Sequence, residues 1–244
     1  MQKENVQKQF KKRANSYNDS ANWITDKTLI NAHVNFTEQI NGKGLELCCG
    51  TGIIGKTLTA NGWQMTGIDI TESMVKESGQ YFPVLQGNAE ELPFEKDYFD
   101  LVVMRQALFF LDSAKVLKEV KRVLKNEGCF ILSQTVPFSD IDTHWLKKIH
   151  LAKQTQMLNF YTDNDLRNTL TKNGFMIEKQ KFLTVRESIT KWMEFAPELS
   201  AEKRKEICDL VRNAPESYRR IRNVESVNGE LLENWNWVIF KTKI

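Results

Sequence analysis

Between residues 44 and 136, short apolar runs alternate with helical stretches, and this rhythm leaves few architectures open. The runs 44–49, 63–70, 81–86, 99–104 and 129–136 read as strands, each bounded by turn residues. The stretches 51–60, 71–78 and 112–125 read as helices. The last carries Val116, Leu117, Val120, Val123 and Leu124 on one apolar face and is expected to stop at Asn126-Glu127-Gly128. Such alternation predicts βαβ units, hence an α/β fold with a parallel sheet, helices on both faces and right-handed crossovers. Ligands of such sheets bind beyond the carboxyl ends of the strands. The loops opening near Cys49, Asp69, Gly87 and Arg105 are therefore where a site is expected.

The flanks are less regular. Residues 1–40 contain two helical patterns, one on Val6, Phe10 and Ala14 and one running from Trp23 to Phe36. Beyond Pro137, helices are expected over 143–158 and 163–172 and a strand over 175–185. Short helices broken at Pro197 and Pro215 follow, then a last strand over 234–241.

Composition excludes several classes. Lys and Arg number 34 against 31 Asp and Glu, a net charge of +3 spread along the chain, which argues against a nucleic-acid partner. No run of about 18 apolar residues is present, so no membrane span is expected. The first twenty residues lack the apolar core of a signal peptide. Cys48, Cys49, Cys129 and Cys208 form neither a zinc pattern nor a disulfide framework, so no metal is expected and a reducing, cytoplasmic compartment is.

The sharpest feature is Glu46-Leu47-Cys48-Cys49-Gly50-Thr51-Gly52, a Gly-rich turn between a strand and a helix. Glycines there let the backbone approach a ligand, and a helix start offers free N–H groups. About 20 residues on, at the end of the next strand, Asp69 can accept hydrogen bonds from ribose hydroxyls. A tight turn holding no ligand is the competing reading.

The segment 45–52 resembles the first motif of the class I S-adenosylmethionine-dependent methyltransferases, with Cys48 where a Gly is usual. Gly67-Ile68-Asp69-Ile70-Thr71-Glu72-Ser73-Met74 and Gln86-Gly87-Asn88-Ala89-Glu90-Glu91-Leu92-Pro93-Phe94 are similar to the second and third motifs. Phe99-Asp100-Leu101-Val102 and Arg122-Val123-Leu124-Lys125-Asn126-Glu127-Gly128 complete the likeness over roughly 40–136. The chain also resembles small-molecule enzymes of quinone and malonyl-thioester methylation; the latter share a segment like Arg13-Ala14-Asn15-Ser16-Tyr17.

The resemblance implies a Rossmann-like, doubly wound sheet of seven strands, the last antiparallel, with a helical lid. It implies one domain over 1–244: a lid at 1–40, a cofactor-binding core at 41–136, and acceptor-binding insertions with the C-terminal strands at 137–244. The implied cofactor is S-adenosyl-L-methionine and the partner a small-molecule acceptor, with the protein a monomer or homodimer.

By resemblance, Glu46 meets the methionine amino group, or else accepts N–H bonds of the turn. Cys48, Gly50 and Gly52 form the approach to the cofactor, and Asp69 holds the ribose. Ile70 and Met74 sandwich the adenine, unless they are ordinary core. Asn88 and Ala89 contact its edge, and Arg105 and Gln106 lie near the transferred methyl. Tyr17 caps the methionine end or simply packs on its helix. Ala107-Leu108-Phe109-Phe110 stands where an aromatic or His is often found. Of the three histidines, His33, His144 and His150, His144 is the catalytic candidate, because its segment is expected to line the acceptor pocket.

Other uses of the sequence stay open: a cyclisation or alkyl transfer on the same cofactor, or methylation of RNA or protein. Against the polymers stand the modest charge and Met104-Arg105-Gln106-Ala107 after the fourth strand, in place of an Asn-Pro-Pro-Tyr-type motif.

Overall fold

A computed structural model describes residues 2–38 and 41–244. Strands β1 (Gly42–Leu47), β2 (Trp63–Asp69), β3 (Val84–Gln86), β4 (Phe99–Arg105) and β5 (Leu124–Val136) pair in parallel. After β6 (Met176–Ser188) and the three-residue β7 (Glu225–Val227), the chain returns as β8 (Glu230–Lys243), antiparallel to β5, β6 and β7. The order is β3-β2-β1-β4-β5-β8-β6, with β7 paired to β8. This is the expected doubly wound sheet with its last strand antiparallel, enlarged to eight strands by the β7–β8 hairpin.

Helices α1 (Gln2–Arg13), α2 (Asn22–Thr25) and α3 (Lys27–Thr37) precede the sheet. Helices α4 (Ile53–Ala60), α5 (Glu72–Ser78) and α6 (Ser113–Val123) connect the parallel strands. The tail adds α7 (Asp140–Lys153), α8 (Asp163–Lys172), α9 (Ile189–Glu194), α10 (Ala201–Arg212) and α11 (Glu216–Ile221). Successive strand residues point to opposite faces, so each buried strand feeds two cores. Leu101, Val103 and Ile131 join Leu29, Ile54 and Trp192 on one face. Val102, Met104, Phe130 and Leu132 join Leu117, Val120 and Leu166 on the other.

Several boundaries differ from the sequence reading: the helix expected over 143–158 spans Asp140–Lys153 and the last strand, expected over 234–241, spans Glu230–Lys243, and two further shifts have a visible cause. The helix expected to reach Lys125 ends at Val123, and residues 126–128 already lie in β5. Leu124, fully buried, pairs with Phe99, while the Tyr98 amide donates to the Val123 carbonyl at 2.9 Å. An apolar residue satisfies either periodicity, and the neighbouring strand decides. The third strand begins at Val84 rather than at 81, because Tyr81 turns outward and β2 first engages this segment at the Pro83 carbonyl, 2.8 Å from the Gly67 amide.

His33 ties α3 to β5. Its Nδ1 donates to the Leu29 carbonyl at 2.7 Å, so Nε2 of the neutral ring accepts from the Ser133 hydroxyl at 2.8 Å. Burial holds its pKa down at about 3, against an ordinary 6.5. The unfolded chain takes up this proton below 6.5 while the folded chain refuses it. The stabilisation is therefore full above 6.5 and declines as pH falls toward 3, by about 2 kcal/mol at pH 5. Urea unfolding at pH 7 and pH 5 should show this loss, and His33→Gln should remove about 2 kcal/mol of the difference. An unchanged difference would exclude His33 as its source.

Candidate active site

The strand order reverses between β1 and β4, and both strands end in left-handed backbone: Cys48 (φ 52°), Gly50 (φ 54°) and Gly52 (φ 75°) after β1, Gln106 (φ 54°) after β4. The sheet opens there because the helices after β1 and β4 leave in different directions. A cavity lies in this opening. Cys48, Gly50, Asp69, Ile70, Met74, Arg105 and Tyr17 border it, seven of the residues singled out in the sequence.

Asp69 is 8% exposed and clamps the site. Its Oδ2 accepts from the Gly50 amide and its Oδ1 from the Thr71 amide, both at 2.9 Å. Burial pushes the carboxyl pKa upward, and the hydrogen bonds it accepts from Thr71, Gly50 and Ile70 oppose the rise.

The glycines divide their work. A Cβ on Gly50 would meet only Tyr17, at 3.8 Å, so this backbone is open to the cavity. A Cβ on Gly52 would lie 2.8 Å from the Ser78 Cβ and 3.1 Å from Phe82, so Gly52 serves the turn and does not border the cavity. Glu46 lies behind the turn, where Oε2 accepts from the Gly55 amide at 2.8 Å. Burial raises its pKa to about 7. The turn-binding reading of Glu46 thus has a partner. Cys48 holds a backbone conformation that favours glycine, and burial drives its thiol pKa upward.

Asn88 and Ala89 follow β3 outside the cavity wall. Asn88 Oδ1 accepts from the Glu90 amide at 3.1 Å, and Ala89 is buried in the core with Leu92. Arg105 is fixed from outside: Nη1 donates to the Ile24 carbonyl at 3.1 Å, and the guanidinium lies 4.9 Å over the Trp23 ring.

The N-terminal segment covers the opening. Gln7 donates to the Ile70 carbonyl at 2.8 Å and Lys3 pairs with Glu90 at 2.8 Å, which holds α1 to the core. Gln9 meets Gln154 at 3.0 Å and Arg13 pairs with Glu198, which holds α1 to the tail. Residues 14–19 form a 3-10 helix whose Asn18 accepts from the Thr51 hydroxyl at 2.6 Å, setting Tyr17 over Gly50. Burial raises the Tyr17 pKa.

A second cavity adjoins the first. Phe10, Tyr17, Gln106 and Phe110 border both. Gln106 is immobilised: its Oε1 accepts from Thr135 N at 2.8 Å and from Gln134 Nε2 at 2.9 Å, and its Nε2 donates to Thr135 Oγ1 at 2.7 Å. Trp23, Trp192, Trp235, Phe109 and Phe195 line the rest, with His150 and Lys153.

His144 is exposed and borders neither cavity. Six residues advance a helix by about 600°, so His150 faces elsewhere, and it is His150 that enters the second cavity. A catalytic role for His144 has no support in this placement. Burial holds the His150 pKa down at about 3. Sequence reading also left out Val6, Phe10, Phe110 and Leu111 as wall residues. The stripe of Val6, Phe10 and Ala14 was the available signal for α1, but spacing alone does not tell a core-facing stripe from a cavity-facing one.

Gly52→Ala should therefore destabilise the fold by about 2–4 kcal/mol, through overlap and a strained φ. Gly50→Ala should lose only about 1 kcal/mol. Urea midpoints for the two variants compare these values directly, and equal losses would refute the division.

Comparison with known proteins places this geometry. The family model described as a methyltransferase domain matches residues 45–132. The demethylmenaquinone methyltransferase of Staphylococcus aureus is 36% identical over 104 residues, which cover 38% of this chain and 43% of that protein. The match thus spans less than half of that relative's length. Among solved structures, a Bacillus halodurans protein assigned as a methyltransferase superposes with a TM-score of 0.80 at 19% identity, covering 88% of this chain and 98% of that one. The geranyl diphosphate C-methyltransferase of Streptomyces coelicolor, solved with S-adenosyl-L-homocysteine, superposes with a TM-score of 0.63 at 12% identity, covering 89% and 80%. These likenesses establish a shared fold.

Proposed function

We propose that this chain, whose residues 45–132 belong to the methyltransferase domain family, moves a methyl group from S-adenosylmethionine to a small-molecule acceptor. The observation that carries this reading is the pair of adjoining cavities with a common wall of Phe10, Tyr17, Gln106 and Phe110. One has the polar clamp and open backbone that a nucleoside needs; the other is aromatic and roofed. Relatives named for demethylmenaquinone and geranyl diphosphate support a small acceptor.

The residues present suit the cofactor. Asp69 borders the cavity with a carboxylate that can accept from ribose hydroxyls. Ile70 and Met74 give apolar surface for a flat base, and Gly50 leaves its backbone side open. Arg105 offers its remaining N–H groups to a carboxylate, and Glu46 complements an ammonium from beneath the turn. Asn88 and Ala89 carry the loop that would read the base edge. When bound, S-adenosylmethionine supplies an activated methyl on a sulfonium.

The chain's own part is positioning and exclusion of water. Tyr17 and Gln106, each fixed by its hydrogen-bonded surroundings, orient the two ligands across their shared wall. Closure by α1 removes water from a reaction in which the sulfonium charge disappears. The same roof disfavours an RNA or protein acceptor, which would need an open groove. Among the described residues no helix is long and apolar enough to cross a membrane. The four thiols are all free, in keeping with a cytoplasmic location, which is part of this proposal.

The test is incubation with methyl-labelled S-adenosylmethionine and a metabolite mixture, read by mass spectrometry. Label in a small product together with S-adenosylhomocysteine is expected. Label in tRNA or protein, or accumulation of methylthioadenosine, would overturn the reading. By calorimetry, Asp69→Ala should weaken S-adenosylhomocysteine binding by about 1–3 kcal/mol, because the ribose hydroxyls lose their acceptor. Unchanged affinity would remove Asp69 from the site.

A further inference from the structure

The second cavity contains a charge that the chain leaves unmatched. Lys153, the last residue of α7, is 2% exposed and borders this chamber. Among the described residues its Nζ makes no hydrogen bond or ion pair. It lies over a ring face, 4.6 Å from the centre of Trp192, and feels the charges of Arg13 and Glu198 nearby. The nearby carboxylate of Glu198 is already taken by Arg13, whose Nε and Nη2 both donate to it. With Arg13 and Glu198 neutralising each other, a charged Lys153 leaves the chamber one positive charge in surplus. His150, one turn back, adds none, since burial keeps its ring neutral at pH 7.

A buried ammonium without a partner is unfavourable, and burial depresses the Lys153 pKa far below its ordinary value. Methionine or leucine would fill the same space without that penalty. The group gains its match when something negative enters. What surrounds it limits the rest of that molecule: Trp192, Trp235, Phe109 and Phe195 present ring surface. The chamber adjoins the first cavity along Gln106 and Phe110, and Lys153 borders the chamber but not that first cavity.

We propose that the acceptor is an apolar, ring-sized molecule bearing an anionic group, held by an ion pair with Lys153 on the part of the chamber wall not shared with the cofactor cavity. This rests on the acceptor reading of the chamber given above and assigns its ligand class. Lys153 is then a specificity residue: it binds the acceptor's head and directs the remainder toward Gln106. A cationic amine, which aromatic walls alone would also suit, meets Lys153 and Arg13 and is disfavoured.

The test uses two probes of nearly equal shape, 2-naphthoate and 2-naphthamide. Each is titrated into the full-length protein saturated with S-adenosylhomocysteine, and binding is followed by tryptophan fluorescence and calorimetry. Wild type should bind the carboxylate at least 10-fold more tightly than the amide. Lys153→Met should abolish that preference by weakening the carboxylate alone, and Lys153→Arg should retain it. Equal affinities in wild type, binding of neither probe, or a preference that survives Lys153→Met would each overturn the proposal. Should Lys153→Met fail to fold, the wild-type ratio and Lys153→Arg decide. Calorimetry of S-adenosylhomocysteine alone is read separately. Its failure to bind wild type would count against the methyltransferase reading, whereas loss of the carboxylate preference with normal cofactor binding counts against the Lys153 assignment only.

Discussion

The carboxylate of Asp69 joins two pieces of chain that would otherwise be independent. By accepting from Gly50 and Thr71 it ties the turn after β1 to the loop after β2, at the border of the cavity between them. Around it the backbone departs from ordinary conformations at Cys48, Gly50, Gly52 and Gln106. Such strain persists only where neighbours over-determine the geometry. Here the neighbours are the Asp69 clamp, the Glu46 bond to Gly55, and the three hydrogen bonds that fix the Gln106 side chain.

The cover over this frame is held differently. Its helix α1 grips the core through Gln7 and Lys3 and the tail through Gln9 and Arg13. The Arg13–Glu198 pair toward the tail is largely buried, whereas on the core side the Lys3–Glu90 pair reaches solvent and is worth little, so closure there depends on Phe10 and Tyr17 packing into the cavity walls. That side of the cover can open at modest free-energy cost, as a site that must admit two ligands requires.

The tail insertions are locked more firmly. Arg222 is fully enclosed and meets Asp142 at 2.8 Å and Glu233 at 3.3 Å. Tyr218 and Trp235 also donate to Glu233, at 3.0 and 2.8 Å. Asp142 belongs to the capping box of α7, so this cluster ties the helix that carries His150 and Lys153 to β8. Breaking such a buried pair typically costs about 3–5 kcal/mol. The chamber therefore has one rigid wall, from the tail, and one that can move, from α1.

What the sequence by itself determined is what depends on near neighbours along the chain. The parallel core, the Gly-rich turn, Asp69 at the end of β2, and helix α8 over Asp163–Lys172 all follow from periodicities and turn residues within a dozen positions. Tyr17 and Arg105 entered through family resemblance, and both border the cavity. What only the tertiary structure decided depends on distant partners. Leu124 could continue a helix or begin a strand until Phe99 claimed it. Gly52 carried the look of a ligand contact but faces Ser78 and Phe82, and Glu46 beneath the turn already accepts from Gly55. His144 and His150 are alike on paper, and only the packing of α7 against Trp192 and Trp235 turns His150 inward. The pairing of Arg13 with Glu198, 185 residues apart, leaves Lys153 without a counter-ion. No local pattern encodes such a pairing, because charge matching in a buried chamber is set by which side chains the fold brings within reach.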